Sequence, residues 1–293
     1  MTPVVWVIGA KGLLGKELCE AITFRGWTCL QTDKEIDITD RVALRAFSLG
    51  RKIDYMINCA AYTAVDTAEN DSEQAFLINA TGAENCARTA AETGAVLVHI
   101  STDYIFDGHC SRPYTENDIP HPCNVYGASK LEGEQRIAKC ADKYFIIRTA
   151  GLFGVHGKNF VATMLSLFSK KSELHVVDDQ IATPTYAVDL ADAVCRIIDT
   201  RSTEYGIYHF TNQGQVTWYE LACALYTYVR TKGLCSHKVH IKPVSSAEYG
   251  SIAVRPLYSV LSKEKFTRVF AVSIPSWEDA LTRYVGSLTA RTE

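Results

Sequence analysis

The sequence has no apolar run long enough to span a bilayer and no excess of basic residues. Its apolar stretches are short and many are interrupted by polar residues, which argues against a transmembrane helix. A net charge of -3 over 293 residues gives neither a basic field for nucleic acid nor a polybasic segment for a membrane surface. We therefore expect no nucleic-acid partner and no membrane partner.

Paired-cysteine motifs are also absent, although the chain contains 10 cysteines. None forms a C-x-x-C motif, and none stands at metal-ligand spacing from a histidine. Free thiols in a reducing compartment explain these cysteines best. The N-terminal segment lacks the cationic region and the small-residue cleavage site of a secretory signal. These features predict a cytoplasmic protein, and they indicate no metal site.

The order of predicted elements indicates an α/β fold. In the first half, apolar strands rich in β-branched residues alternate with helical patterns, which is typical of a doubly wound parallel sheet of the Rossmann type. After Gly154 this alternation weakens. We expect residues 1–154 to form a dinucleotide-binding domain. Residues 155–293 should form a smaller C-terminal substrate lobe, with some segments returning to the main sheet.

A glycine-rich turn, Gly9 to Gly15, follows the first predicted strand and opens a helix at Leu13. Such a turn lets backbone N–H groups approach a pyrophosphate, and the helix N-terminus adds the positive end of its dipole. The spacing is G-x-x-G-x-x-G rather than the commoner G-x-G-x-x-G. Because the turn opens a βα unit, it predicts a dinucleotide-binding site.

An acidic residue, Asp33, ends the second predicted strand. At this position an aspartate usually accepts hydrogen bonds from the adenosine ribose and repels a 2′-phosphate. The neighbouring Lys34 would tolerate a phosphate, and an ordinary loop aspartate explains the position equally well. The sequence therefore leaves both NADH and NADPH open.

Small and polar residues follow the ends of several predicted strands. Gly9, Asp33, Ala60 and the pair Ser101-Thr102 all occupy such positions. In an open parallel sheet, ligands bind outside the carboxyl ends of the strands. The convergence of these residues predicts a ligand site at this edge of the sheet.

Tyr126 and Lys130 lie four residues apart, which places them on one face of a predicted helix. A free tyrosine titrates near ~10, and a neighbouring positive charge lowers that pKa because it favours the phenolate. The pair predicts a proton donor whose pKa is lowered by the lysine. The same spacing is common on solvated helices, so the pair alone does not establish a site.

These residues resemble the extended short-chain dehydrogenase/reductases and, within them, the dTDP-4-dehydrorhamnose reductase group. The match extends over nearly the whole chain. It includes Gly9–Gly15, Asn58–Glu69, Ser101–Gly108, Asn124–Lys130 and Arg255-Pro256. The resemblance implies a seven-stranded parallel sheet with a smaller C-terminal lobe for a nucleotide sugar.

The resemblance also implies roles for individual residues. Thr102 would bind the reacting keto oxygen, Tyr126 would protonate it, and Lys130 would hold the nicotinamide ribose. The cofactor, NADPH or NADH, would be bound by Tyr126 and Lys130 together with Gly9, Gly12, Leu13, Leu14, Gly15, Asp33, Asp37, Ile38, Ala60, Ala61, Tyr62, Thr63 and Ser101. The substrate would contact Thr102, Asp103, Tyr126 and Gly151.

The implied reaction is the NAD(P)H-dependent reduction of the C4 keto group of dTDP-4-dehydro-L-rhamnose to dTDP-L-rhamnose, a step in cell-surface polysaccharide biosynthesis. A homodimer is a further expectation from the family. Gly151 departs from the family pattern, since many members have a tryptophan there that faces the sugar. Another nucleotide-sugar 4-ketoreductase or epimerase therefore stays open. A non-catalytic dinucleotide-binding regulatory subunit also stays open, because some relatives of the group have that role.

Overall fold

The computed structural model describes residues 2–289. Its strands are β1 (Val4–Ile8), β2 (Thr28–Thr32), β3 (Tyr55–Asn58), β4 (Val96–Thr102), β5 (Tyr144–Thr149), β6 (Leu152–Phe153), β7 (Glu173–Val177), β8 (Ile181–Ala182), β9 (Thr185–Tyr186), β10 (Gly206–His209), β11 (Val216–Thr217) and β12 (His240–Val244). Its α-helices are α1 (Leu13–Phe24), α2 (Arg41–Ser48), α3 (Val65–Ala68), α4 (Ser72–Phe76), α5 (Ala83–Thr93), α6 (Val125–Cys140), α7 (Phe160–Phe168), α8 (Ala187–Thr200), α9 (Trp218–Thr231), α10 (Ser246–Tyr249), α11 (Glu264–Phe270) and α12 (Trp277–Thr289).

The central sheet is parallel and has the strand order β10-β5-β4-β3-β1-β2. The order reverses at β1, so a crevice opens between the loops that follow β1 and β3. The expectation of seven strands is wrong, because the central sheet of the described chain has six. Strands β7 and β12 form a separate two-stranded parallel sheet.

Alternating side chains of the sheet form two cores, one on each face. Val5 and Val7 of β1 belong to the core built with α1 and α8. Trp6 and Ile8 of the same strand belong to the core on the opposite face, built with α5 and α6. Since both faces are covered, the strands are nearly continuous in apolar residues. The predicted α/β, doubly wound Rossmann-type class is confirmed.

The C-terminal half divides between a third core and the main sheet. Residues of α7, α9 and α12 pack in a cluster of their own around Phe168 and Leu225. In contrast, α8 packs against α1, and β10 adds an edge strand beside β5. Whether residues 155–293 act as a substrate lobe stays a prediction.

The helix predicted from Ser72 to Thr93 is helical throughout but contains a π-helical turn, Leu77–Gly82. Asn79 lies in this turn and is buried. Its side chain accepts a hydrogen bond from the Tyr62 N–H (2.8 Å) and donates to the Ser129 hydroxyl (2.9 Å). The turn thus ties the loop after β3 to α6, and such turns are frequent at functional sites.

Two observations concern the absences noted in the sequence. All 10 cysteines are free thiols, as predicted, and three of them are buried. No helix within residues 2–289 is both long enough and apolar enough to cross a membrane.

A glycine in α6 allows the close approach of the π turn. A Cβ atom on Gly133 would lie 2.2 Å from the backbone oxygen of Asn79. We expect Gly133→Ala to lower the free energy of unfolding by about 2–3 kcal/mol, because the two helical segments would have to separate. The matched control is Gly286→Ala in α12, where a Cβ meets open space. That change should stabilise by about 0.5–1 kcal/mol. Urea denaturation of both variants checks the opposite signs.

Candidate active site

The glycine-rich turn forms a cradle that side chains would fill. A Cβ on Gly15 would lie 2.1 Å from the Gly9 oxygen, and a Cβ on Gly9 would lie 2.8 Å from the Ala60 nitrogen. Gly9 also has a φ of 79°, which favours glycine. At the start of α1, Gly12 provides no side-chain cap, and the first turn contains no acidic residue. The positive end of the helix is therefore available to an anion such as a dinucleotide pyrophosphate.

A cavity of about 530 Å³ opens on one side of this cradle. Asp33 lies in its wall, and both of its carboxylate oxygens accept backbone hydrogen bonds, from the N–H groups of Lys11 and Lys34 (2.9 Å each). The predicted cofactor residues that line this cavity are Gly9, Gly12, Asp33, Asp37, Ile38, Ala60 and Ala61. The size and lining suit an adenosine half of a dinucleotide.

A second cavity, of about 470 Å³, continues from the cradle toward α6. The predicted site residues that line it are Gly12, Leu13, Leu14, Gly15, Ala61, Thr63, Ser101, Thr102, Asp103, Tyr126, Lys130 and Gly151. Gly12 and Ala61 belong to both cavities, so the two together form one continuous groove along the carboxyl edge of the sheet.

Two predicted cofactor residues, Tyr62 and Ser101, have hydroxyl groups that are hydrogen-bonded to other side chains. The hydroxyl of Tyr62 donates to Asp71 (3.0 Å), and its backbone is held by Asn79. The Ser101 hydroxyl donates to the Glu134 carboxylate (2.5 Å). The same carboxylate accepts hydrogen bonds from two guanidinium nitrogens of Arg148. The Ser101 hydroxyl can therefore meet a cofactor as an acceptor but not as a donor, and its role stays a prediction.

A smaller pocket, of about 160 Å³, adjoins the groove at Thr102 and Tyr126. The start of α6 fixes the phenol in this pocket: the Asn124 side chain caps the helix by accepting from the Gly127 N–H (2.8 Å). A Cβ on Gly127 would lie 2.0 Å from the Tyr104 oxygen, so only glycine lets the helix approach so closely. Tyr104 then packs edge-on against Tyr126.

The pKa of Tyr126 is raised to about 12, chiefly by burial. A hydrogen bond with Thr102 acts in the opposite direction, and the charge of Asp103 raises the pKa further. The prediction that Lys130 lowers this pKa is therefore not confirmed, because desolvation has the largest effect. The phenol remains protonated at neutral pH and can act as an acid.

Lys130 is buried and points toward β4. Its Nζ donates to the Ile100 oxygen (2.6 Å) and lies 3.2 Å from Nε2 of His99. Burial lowers the pKa of Lys130 to about 8. The contact with His99 could not be inferred from helix spacing. The available signal was a histidine within an apolar strand, two positions before Ser101.

Asp103 is the most strongly perturbed carboxyl in the pocket. It is 3% exposed, and burial raises its pKa to about 6. The hydroxyl of Thr102 donates to it (3.1 Å), and Ser259 also favours the carboxylate. Near neutral pH, Asp103 can therefore accept hydrogen bonds from a polar ligand in the pocket.

An aromatic side chain that the sequence analysis missed stands beside Gly151. Trp218 begins α9, and its Cη2 would lie 3.3 Å from a Cβ on Gly151. The indole also packs against Phe160, with ring centroids 4.8 Å apart. Gly151 has a φ of 53°, so both its backbone and its neighbour disfavour a side chain. Trp218 thus forms an apolar wall of the pocket, from a distant segment of the chain.

Within residues 2–289, no group of three or more histidine, cysteine, aspartate or glutamate side chains is placed to hold a metal ion. The chemistry available in the pocket is that of a protonated phenol and a hydroxyl facing one another, next to a dinucleotide-shaped groove. On a doubly wound parallel sheet, this arrangement defines an enzyme of the short-chain dehydrogenase/reductase class.

Comparison with known proteins identifies the family. The family model described as RmlD substrate binding domain matches residues 3–290. The chain is 36% identical over 281 residues to the dTDP-4-dehydrorhamnose reductase of Aggregatibacter actinomycetemcomitans, covering 94% of this chain and 96% of that protein. It is 40% identical over 286 residues to the spore coat polysaccharide biosynthesis protein SpsK of Bacillus subtilis (strain 168), covering 97% of each.

A solved structure agrees with this assignment. The crystal structure of dTDP-4-dehydrorhamnose reductase from Bacillus anthracis str. Ames in complex with NADP matches with a TM-score of 0.91 at 40% identity, covering 97% of this chain and 99% of that chain. The chain belongs to the dTDP-4-dehydrorhamnose reductase family, and it is an enzyme, an oxidoreductase.

Proposed function

We propose that this enzyme uses NADPH or NADH to reduce the C4 keto group of dTDP-4-dehydro-L-rhamnose, giving dTDP-L-rhamnose. The observation that carries the proposal is the meeting of Thr102 and Tyr126 in a pocket that adjoins the dinucleotide-shaped groove. The names of the relatives and the NADP in the neighbouring structure support the same substrate class and cofactor.

The reaction requires a proton donor and a place for negative charge. The reduced nicotinamide supplies the hydride when it is bound. Tyr126, protonated at neutral pH, gives its proton to the keto oxygen as charge develops there. The Thr102 hydroxyl, which donates to Asp103 in the structure, would turn to donate a second hydrogen bond to the same oxygen and stabilise that charge.

The cofactor would be held by the backbone rather than by many side chains. The N–H groups at the start of α1 would bind the pyrophosphate, and Asp33 would accept from the adenosine ribose. Lys130 would contact the nicotinamide ribose from within the second cavity. Lys11 and Lys34 flank Asp33 and would accommodate a 2′-phosphate, so the proposal includes both NADPH and NADH.

The sugar would bind between polar and apolar walls. Asp103 would accept from a sugar hydroxyl, while Trp218 would cover an apolar face of the ring. Beyond Trp218, a further cavity of about 280 Å³ extends to Arg255 and Tyr249 and would receive the nucleotide. Residues 155–293 provide most of these walls, which supports their assignment as the substrate lobe. The homodimer and the cytoplasmic location stay predictions, and light scattering of the purified protein tests the first.

The test measures the oxidation of NADPH and of NADH by the loss of their absorbance. The substrate, dTDP-4-dehydro-L-rhamnose, is generated in the same assay by its upstream enzymes. Turnover with formation of dTDP-L-rhamnose supports the proposal, and the ratio of kcat/KM values gives the cofactor preference. Tight cofactor binding without turnover on this sugar, but with turnover on another nucleotide-linked 4-keto sugar, would favour the second candidate. If the protein co-purifies with a stoichiometric protein partner and reduces none of these nucleotide-linked 4-keto sugars, both candidate functions are contradicted.

The second candidate, another nucleotide-sugar 4-ketoreductase or epimerase, is favoured by one feature, the missing side chain at Gly151.

We expect Gly151→Ala to raise KM for the nucleotide sugar about tenfold, equivalent to about 1.4 kcal/mol, because the new Cβ displaces Trp218. Backbone strain accompanies the change, since φ is positive. The matched control is Gly26→Ala, with a φ of 70° and open space around the Cβ. Gly26→Ala should lose stability but keep its KM for the nucleotide sugar. If Gly26→Ala and Gly151→Ala change this KM equally, Trp218 has no role as a wall of the sugar pocket.

A further inference from the structure

His99 is a buried side chain that the proposed reaction does not use. His99 lies on β4 and is 1% exposed. Its two ring nitrogens face two different partners: Nδ1 lies 3.1 Å from Nδ2 of Asn58, and Nε2 lies 3.2 Å from Nζ of Lys130. Burial and the neighbouring lysine keep the pKa of His99 well below its usual value, so the ring is neutral. A neutral imidazole has one N–H donor and one acceptor nitrogen.

The Asn58 amide decides which nitrogen is which. Its Oδ1 accepts a hydrogen bond from the Ala60 N–H (3.0 Å), so its NH₂ group must face His99. Nδ1 of His99 is therefore the acceptor, and the ring proton is on Nε2. The opposite amide orientation would place an NH₂ group against the Ala60 N–H and leave that donor without an acceptor.

The ring proton on Nε2 points at Lys130. A hydrogen bond at this 3.2 Å contact then requires a lone pair on Nζ, which only the uncharged amine has. We propose that Asn58 and His99 are positioning residues for Lys130: their hydrogen-bond chain favours the uncharged amine, and charging the lysine requires the ring proton of His99 to change nitrogen. The protons balance, because Lys130 gains one from solvent while His99 moves its own from Nε2 to Nδ1.

The other groups near Lys130 act in the opposite direction. Glu134, one turn along α6, and Cys59, at the end of β3, both favour the charged lysine. Glu134 is itself paired with Arg148 on β5, which limits its effect. Tyr126 precedes Lys130 by one turn and stays protonated. The lysine, whose pKa burial lowers to about 8, is thus poised between its two forms. The hydrogen-bond chain through His99 adds to the preference for the uncharged amine.

This balance deepens the proposed function, on which its kinetic consequence rests. Tyr126 and Lys130 line the same cavity. When proton transfer to the keto oxygen leaves a phenolate there, a charged Lys130 would stabilise it more than the neutral amine would. Reduction should therefore slow as Lys130 loses its proton, and Asn58 and His99 would set the pH at which this occurs. Neither residue needs to touch the substrate for this effect.

The direct test is ¹⁵N NMR of the histidine-labelled, cofactor-free protein, which reports which ring nitrogen carries the proton. The chain has 8 histidines, and the His99 signals are those missing from His99→Phe. At about pH 10, above the pKa of Lys130, we expect the proton on Nε2; at about pH 6 it should move toward Nδ1. A proton on Nδ1 at both pH values, or an imidazolium, would overturn the proposal. This test does not depend on any substrate.

A second variant provides a kinetic readout that a merely structural role would not move. In Asn58→Asp the carboxylate still accepts from Ala60 but can only accept from His99, so the ring proton is held on Nδ1. We expect the alkaline limb of kcat/KM to rise by at least about one pH unit. The control is Asn58→Asp in the His99→Phe background. If the alkaline limb of kcat/KM rises equally in this double variant, the new carboxylate charge acts without the imidazole. That result would refute the hydrogen-bond chain from Asn58 through His99 to Lys130.

If NMR finds the expected exchange but no nucleotide sugar is reduced, the inference about Lys130 stands and the proposed function fails. If the sugar is reduced while the ring proton of His99 stays on Nδ1, the proposed function stands and the inference about Lys130 fails. The two proposals are thus separated by independent measurements.

Discussion

Replacing Tyr126 by phenylalanine is expected to lower kcat for reduction of the keto sugar by about 100- to 10,000-fold, the usual contribution of a positioned acid. The phenol is the group in the pocket that is both protonated at neutral pH and hydrogen-bonded to Thr102. Phenylalanine fills the same volume, so the edge-on packing of Tyr104 should persist. Stopped-flow or steady-state oxidation of NADPH at saturating substrate measures the loss.

Cofactor affinity distinguishes a lost acid from a damaged site. The Kd for NADPH, measured by fluorescence, should change less than threefold in Tyr126→Phe, about 0.6 kcal/mol. The matched control is Tyr55→Phe at the amino end of β3, whereas the pocket lies at the carboxyl ends of the strands. It should keep kcat. A Tyr126→Phe enzyme that retains full kcat would show that another group, such as a bound water, delivers the proton.

The parts of this molecule that sequence patterns could predict are those with local causes. The apolar runs of β1 and β3, the capped start of α6 and the Gly9–Gly15 turn each follow from neighbouring residues. The rule that ligands meet the carboxyl ends of parallel strands then placed Asp33 and Thr102 on one edge, although they are far apart in sequence.

The parts that could not be predicted depend on contacts between distant segments. Trp218 reaches Gly151 only because β11 pairs with β8, which places the start of α9 beside the pocket. Likewise, β7 pairs with β12 outside the central sheet, although the two strands are far apart in the sequence. Neither pairing leaves a local pattern, since two-residue strands and a short parallel pair have almost no periodicity.

The electrostatics of the pocket were the least predictable. Helix spacing correctly puts Lys130 and Tyr126 on one face, but it contains no information about burial, and burial dominates both pKa values. The environment of Lys130 depends on which backbone oxygen and which ring nitrogen of β4 it meets. Those contacts exist only once α6 has packed on the sheet.

Burial also predicts that Asp103→Asn makes the protein more stable at neutral pH and less active. The folded state raises the pKa of Asp103 from 3.8 to about 6, so the unfolded chain ionises first as pH rises. Between these values the folded state holds the extra proton, and stability falls with increasing pH. At about pH 7 the cost is about 3 kcal/mol, because each pKa unit corresponds to about 1.4 kcal/mol. Asparagine avoids this cost while keeping an oxygen for the Thr102 hydroxyl.

Urea denaturation at two pH values checks the sign. The advantage of Asp103→Asn should be about 3 kcal/mol at about pH 7 and about half of that at about pH 5, where the folded wild type has regained its proton. The control is Asp118→Asn. Arg112 and Thr115 hold the pKa of Asp118 well below its usual value, so this change should destabilise, and its effect should fade as pH falls.

Activity should move in the opposite direction from stability in Asp103→Asn. If the carboxylate accepts from a sugar hydroxyl, its loss raises KM for the nucleotide sugar and leaves the Kd for NADPH unchanged. A variant that gains stability but keeps its KM would place the sugar elsewhere in the pocket. A variant that gains no stability would show that Ser259 and Thr102 already offset the burial of the charge. The destabilising carboxylate is explained most simply as a cost retained for substrate binding, as is common where activity needs an unfavourable group.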